Sequence, residues 1–148
     1  MINLLNTMLF EKKHKEKIIA EYLLAKDEVL FAYIFGSFVD KDNYHDIDIA
    51  VYLKDDFDKN DFKKFPYGYE SGEIADLNLL VRSDVDFIVM NCAEILIQKR
   101  IIDRGIRIFS KDERKRISYE NYIRKLYIDS AHLRNIRRHY LSGKIRNA

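Results

Sequence analysis

The side chains in this sequence best suited to chemistry are acidic ones set in short apolar runs. Asp46 and Asp48 open the run Asp46-Ile-Asp-Ile-Ala-Val-Tyr-Leu53, whose first half alternates strictly. Alternation of this kind reads as a strand, so the two carboxylates point to one face. In an apolar sheet such a pair repels itself and one member tends to hold a proton, unless a cation lies between them. Hard oxygen ligands at that spacing suit a divalent ion such as magnesium. Ahead of them Val29 to Phe35 is another apolar run, stopping at Gly36-Ser37. A tight glycine turn with free backbone N–H groups and a hydroxyl is what a chain needs to approach phosphate. Phosphoryl and nucleotidyl transfers ask little covalent work of a protein but do require metal ions that neutralise phosphate charge and align the reacting oxygens. Each signal is common alone. Their order (strand, Gly-Ser, polar loop, strand-borne Asp-x-Asp) is what carries weight. A third run, Ser83 to Met90, places Asp84 and Asp86 on one face, and either could supply a further carboxylate.

The elements that must hold these residues alternate along the chain. Ile18, Ile19, Tyr22 and Leu23 lie on one helical face within Leu9 to Lys26, predicting an amphipathic helix. Strands follow at Val29 to Phe35, from Asp46 to Leu53, and from Ser83 to Met90. Lys54 to Tyr69, charged and broken by Pro66 and Gly68, reads as a loop or short frayed helix, and Glu70 to Val81 as a helix. Ala93 to Arg104 predicts another helix ending at Gly105, and Ile106 to Phe109 a short strand. After Lys111 a long basic helix is expected to about Leu141, with Tyr122, Leu126, His132 or Leu133 and Ile136 as its buried stripe and Gly143 as its end.

With 148 residues, 47% of them hydrophobic, the chain can bury the core of one ordinary domain. One domain over 1–148 is therefore expected. No apolar run is long enough to span a bilayer and no cleavable leader pattern precedes Glu11, so the expected location is the cytoplasm. Cys92 is the one cysteine, which excludes an internal disulfide and predicts a small buried side chain. The net charge of +2 conceals a polarity: residues 40–86 carry 13 acidic and 6 basic side chains, residues 99–148 carry 5 and 15. An acidic middle suits cations. A basic tail suits phosphates, an acidic protein partner or RNA.

The motifs Phe35-Gly-Ser-Phe38 and Asp46-Ile-Asp-Ile-Ala-Val51 resemble those of the minimal nucleotidyltransferases (MNT) of the DNA polymerase beta superfamily. The resemblance extends to Val85-Asp-Phe-Ile-Val-Met-Asn91, similar to the family strand with the third carboxylate, and covers roughly residues 10–112, leaving 112–142 as a helical extension. It implies an α/β (α+β) polymerase-beta-like fold, a small mixed sheet flanked by helices. Residue by residue, it implies that Asp46, Asp48 and Asp86 hold two magnesium ions, that Asp86 rather than Asp84 assists deprotonation of the acceptor, and that Gly36 and Ser37 grip the triphosphate. Eight residues separate Ser37 from Asp46, a short loop for this family, and Asp40-Lys41 stands where a small residue and an arginine are common. Lys41 is expected to serve there as a point charge.

Small members of the family are commonly antitoxins paired with HEPN-domain ribonuclease toxins, which implies AMP transfer from ATP to a toxin tyrosine. The alternative is a non-catalytic module that neutralises its partner by contact through the basic helix. Arg134 and His139 share the Arg-x4-His spacing of HEPN ribonucleases, but those are all helical. Nucleic acid is not an expected partner: Arg134, Arg137, Arg138, Lys144 and Arg146 read as a solvated face, as does His45. Tyr119, Tyr122 and Tyr127 read as packing residues at helical spacing rather than sites of self-modification.

Overall fold

The structure is a computed structural model and describes residues 2–146, the side chains of Ile2 and of residues 144–146 excepted. Lys144 and Arg146 thus lie outside the described side chains. The elements run α1 (Ile2–Leu24), β1 (Val29–Phe35), α2 (Ser37–Asp40), β2 (Ile47–Leu53), α3 (Tyr69–Val81), β3 (Val85–Val89), α4 (Ile95–Arg104), β4 (Ile106–Ser110) and α5 (Glu113–Arg146). The strands form one mixed sheet in the order β3-β2-β1-β4, with β2 and β3 parallel and the other pairs antiparallel. Among the described residues no helix is long and apolar enough to cross a membrane.

Strand alternation divides the core between the two sheet faces. Ile47, Ile49, Val51 and Leu53 of β2 and Val85, Phe87 and Val89 of β3 turn to the face covered by α1 and α3, where Ile19, Leu23, Leu77 and Val81 complete a cluster. The alternate residues Ala50 and Tyr52 turn to the other face, beneath Ile101 and Ile102 of α4 and Ile123 of α5. Asp48 therefore shares a face with Ala50 and Tyr52, at the end of the sheet that these helices do not cover.

The chain entering β3 is fixed by Asn78. Its backbone carbonyl accepts the Arg82 N–H at 2.9 Å, closing α3 on a left-handed cap at Arg82 (φ 53°), and its side-chain oxygen accepts the Val85 N–H at 2.7 Å. Asn78→Ala removes the partner of that part-buried donor and is expected to lower unfolding stability by about 1 kcal/mol, measured by urea denaturation.

Several details differ from the sequence reading. The first helix begins seven residues earlier than Leu9; Leu4 and Leu5 of the added turns are exposed, as are Leu9 and Phe10 after them. Residues 54–68 form turns without a frayed helix, and Phe57 and Phe65 pack on the Tyr69 ring with centroids 5.3 and 5.2 Å away. Cys92 is exposed, not buried, because it sits in the one-turn 3-10 helix that leaves β3. Gly143 does not end the last helix. It adopts no positive φ and α5 continues through it. The buried stripe of α5 is also misplaced by periodicity: Ile123 is the residue that reaches the core, while Tyr122, Leu133 and Ile136 are 59%, 65% and 53% exposed. Of the three tyrosines, Tyr119 packs against Phe31 and Tyr52, Tyr127 is partly covered by Lys99 and Arg134, and Tyr122 is not a packing residue.

Candidate active site

Gly36 turns the chain from β1 into α2 with φ 77° and ψ −154°, a region essentially restricted to glycine. The reason lies across the strand pair. A Cβ on Gly36 would stand 2.1 Å from Oδ2 of Asp48, whose partner in the β1–β2 register is Phe35. The glycine thus lets backbone approach a carboxylate, and the carboxylate fills the space a side chain would take. Val39 and Asp40 N–H donate to the Gly36 carbonyl at 3.1 and 3.2 Å, and Lys41 N–H to Ser37 O at 2.9 Å, so the turn winds directly into α2. Ser37 Oγ reaches the Asp46 carbonyl at 3.4 Å, linking the turn to the start of β2.

The parallel ladder sets the third carboxylate. Ile47 pairs with Val85 and Asp48 with Asp86, so Asp48 and Asp86 are direct cross-strand neighbours on one face. Asp46 stands two residues before Asp48, outside the strand proper and exposed, as Asp86 is. Burial pushes the Asp48 carboxyl above its ordinary range, and the charges of Asp86 and then Asp46 push it further in the same direction. All three influences disfavour the charged form of Asp48. Among the described residues no three acidic, histidine or cysteine side chains stand together closely enough to hold a metal ion.

Asp84 lies in the turn before β3 and is exposed; its carbonyl accepts the Ile47 N–H at 2.9 Å, a backbone role in starting the ladder. The register therefore distinguishes it from Asp86. Lys41 is exposed, and its backbone rather than its ammonium is engaged, at the α2 cap. His45 is exposed beside Asp46. Gly36, Ser37, Asp46, Asp48 and Asp86 are thus brought to one end of one sheet face, with the Lys41 side chain on the loop beyond them.

Sequence reading missed the residues that hold the loop in place. Lys12 Nζ donates to the carbonyls of Phe38, at 2.9 Å, and of Lys41, while Lys15 Nζ donates to Tyr44 Oη at 2.8 Å and Ser83 Oγ at 2.7 Å. Lysines on an amphipathic helix carry no mark in sequence that separates these two from their solvated neighbours Lys13 and Lys17.

A family model described as polymerase beta, nucleotidyltransferase matches residues 16–114. No curated protein matches the sequence. The fold is similar to that in a toxin–antitoxin crystal structure with AMP-PNP, at 20% identity and TM-score 0.66, covering 88% of this chain and 98% of that one. It is equally similar to a chain of a tri-AMPylated HEPN toxin in complex with an MNT antitoxin from Shewanella oneidensis, at 20% identity and TM-score 0.65, covering 90% and 98%. A toxin–antitoxin MntA–HepT structure gives 19% identity and TM-score 0.63 over 90% and 98%. At such identities these likenesses establish the fold.

Proposed function

This chain belongs to the polymerase beta nucleotidyltransferase family, and we propose that it moves AMP from ATP onto a tyrosine of a HEPN-family ribonuclease toxin, neutralising it as an antitoxin. The observation that carries the reading is the cross-strand pairing of Asp48 with Asp86 against the Gly36 turn. The similarity to toxin–antitoxin structures, one with AMP-PNP and one with a tri-AMPylated toxin, supports the choice of nucleotide and partner.

The donor set fits magnesium. Asp46, Asp48 and Asp86 offer only hard oxygens, and the repulsion that adds to burial in raising the Asp48 pKa is what a divalent cation would relieve. Bound magnesium would neutralise the triphosphate and hold attacking and leaving oxygens in line. The protein's own contribution is placement. Gly36 and Ser37 present N–H groups and a hydroxyl to the phosphates, with Lys41 as a nearby charge, and Asp86 accepts the proton of the acceptor phenol. The phenolic oxygen then forms its bond to the α-phosphorus as the bond to the bridging oxygen breaks, and pyrophosphate leaves. A phenol, with pKa about 10, asks less of the base than an aliphatic alcohol.

Incubating the purified chain and its cognate toxin with magnesium and ATP labelled at the α-phosphate is expected to label a toxin tyrosine. Label that persists undiminished after Asp46→Asn would overturn the assignment. A second reading, neutralisation by contact, draws on the outer half of α5, where exposed Leu133 and Ile136 accompany exposed Arg137 and Arg138. Full neutralisation by the triple Asp→Asn variant, without label, would establish that reading instead.

A further inference from the structure

The segment between Ser37 and Asp46 is short, and between the α2 cap at Lys41 and the first rung of β2 at Ile47 it runs without helix or strand. Its link through Ser37 Oγ to the Asp46 carbonyl is long, at 3.4 Å. What holds it comes from another element, α1. Lys12, Lys15 and Ile19 fall at helical spacings of three and four, and Ile19 is fully buried in the core cluster beside Leu23. The two lysines therefore extend the anchored stripe of α1 toward the end of the sheet where the carboxylates lie.

Each lysine has a distinct task. Lys12 satisfies the Phe38 and Lys41 carbonyls at the C-terminal end of α2, where a cation also complements the exposed carbonyl dipoles. Its ammonium lies 5.4 Å from the Phe38 ring and 5.5 Å from the Tyr44 ring, which meet each other at 4.8 Å. Lys12 thereby fixes the turn that begins at Gly36. Lys15 joins two hydroxyls distant in sequence. Tyr44 is two residues before Asp46, and Ser83 is three before Asp86. By holding both at hydrogen-bond distance, Lys15 ties the loop entering β2 to the turn entering β3, just outside the Asp48–Asp86 pair. Carboxylates that repel one another need such a restraint at the mouth of their strands.

We propose that Lys12 and Lys15 are positioning residues of the transfer site, Lys12 for the phosphate-facing turn and Lys15 for the spacing of the β2 and β3 carboxylates. This rests on the reading of Asp46, Asp48 and Asp86 as metal ligands. Misplacement by about 1 Å from a change outside the reacting groups can cost about 100-fold. Methionine keeps the aliphatic length of lysine and removes the ammonium. Lys15→Met is expected to lower kcat about tenfold or more, with the KM for ATP within about twofold, and to weaken Mn2+ binding to the nucleotide-free protein in calorimetry. Lys12→Met is expected to raise the KM for ATP about tenfold while Mn2+ affinity stays at the wild-type value.

Lys15→Arg, which can still reach both hydroxyls, restores most of the kcat; Ser83→Ala lowers it in the same direction and adds nothing to Lys15→Met. Wild-type kcat, KM and Mn2+ affinity in both methionine variants, beside an active wild type, overturn the proposal alone. So does an equal loss of kcat in Lys15→Met and Lys15→Arg that follows a lowered melting temperature, which marks a packing role. A wild type that neither transfers AMP nor binds Mn2+ removes the metal-ligand reading and this proposal with it.

Discussion

Asp48→Asn is expected to abolish magnesium-dependent transfer while making the metal-free chain more stable. The loss should reach about 10³-fold or more, about 4 kcal/mol of transition-state stabilisation, because Asp48 sits between the other two acids. The gain in stability has the same origin. Burial and the charges of Asp86 and Asp46 raise the Asp48 pKa in the folded chain, so the folded state binds that proton more tightly than the unfolded state does. Its stabilising contribution is complete below the unfolded value of about 3.9 and is lost as pH rises through the higher folded value. At neutral pH the charged carboxylate works against folding, and asparagine removes that opposition. Melting curves across pH should therefore show Asp48→Asn above wild type at pH 7, with the difference closing toward pH 4. Adding magnesium should raise the wild-type melting temperature and leave the variant's nearly unchanged. A variant that melts lower than wild type at neutral pH without metal would contradict the electrostatic account.

How far the sequence discloses this site follows from the range of the forces involved. Period-two alternation around Asp48 and around Asp86 is a local property, and both strands lie within the predicted spans, shortened to Ile47–Leu53, which leaves Asp46 just before its strand, and to Val85–Val89, which leaves Asp84 before its own. The pairing of Asp48 with Asp86 is not local: 37 residues separate the partners, including the whole of α3, and the register is set by how Asn78 and the Ile47–Asp84 rung seat β3. Likeness to a known motif, not periodicity, selected Asp86 over Asp84. The errors have a common cause as well. In α5, helical spacing is present on more than one stripe, and only its packing on the sheet and α4 decides that Ile123 faces inward while Leu133 and Ile136 are exposed. Composition alone predicts a buried Cys92, whereas its exposure depends on the sharp exit from β3. Gly105 does end its helix, but in extended conformation; a Cβ there would meet the Ile101 carbonyl at 2.4 Å, a close approach that no sequence pattern distinguishes from a left-handed cap.

Gly36→Ala provides a test of whether turn and carboxylate form one unit. Two costs are superimposed at this position. The first is backbone: φ 77° with ψ −154° is a conformation that alanine enters at a cost of about 1–3 kcal/mol. The second is contact, since the new methyl would fall 2.1 Å from Asp48 Oδ2 and 3.1 Å from its Cγ. Relief requires the carboxylate to rotate away from the turn, or the turn to withdraw from the carboxylate, and either movement separates phosphate-facing N–H groups from a metal ligand. Transfer is expected to fall about 100-fold, the scale of a displacement of about 1 Å, with stability reduced by more than the backbone cost alone. The two costs separate in a double-mutant cycle. In an Asp48→Ala background the clashing Oδ2 and Cγ are gone and the remaining neighbour, Asp48 Cβ, lies at an ordinary 3.5 Å. There Gly36→Ala should destabilise by the backbone term only. If it costs the same in both backgrounds, the glycine serves the turn and not the carboxylate, and the close approach that unites the site has no energetic consequence.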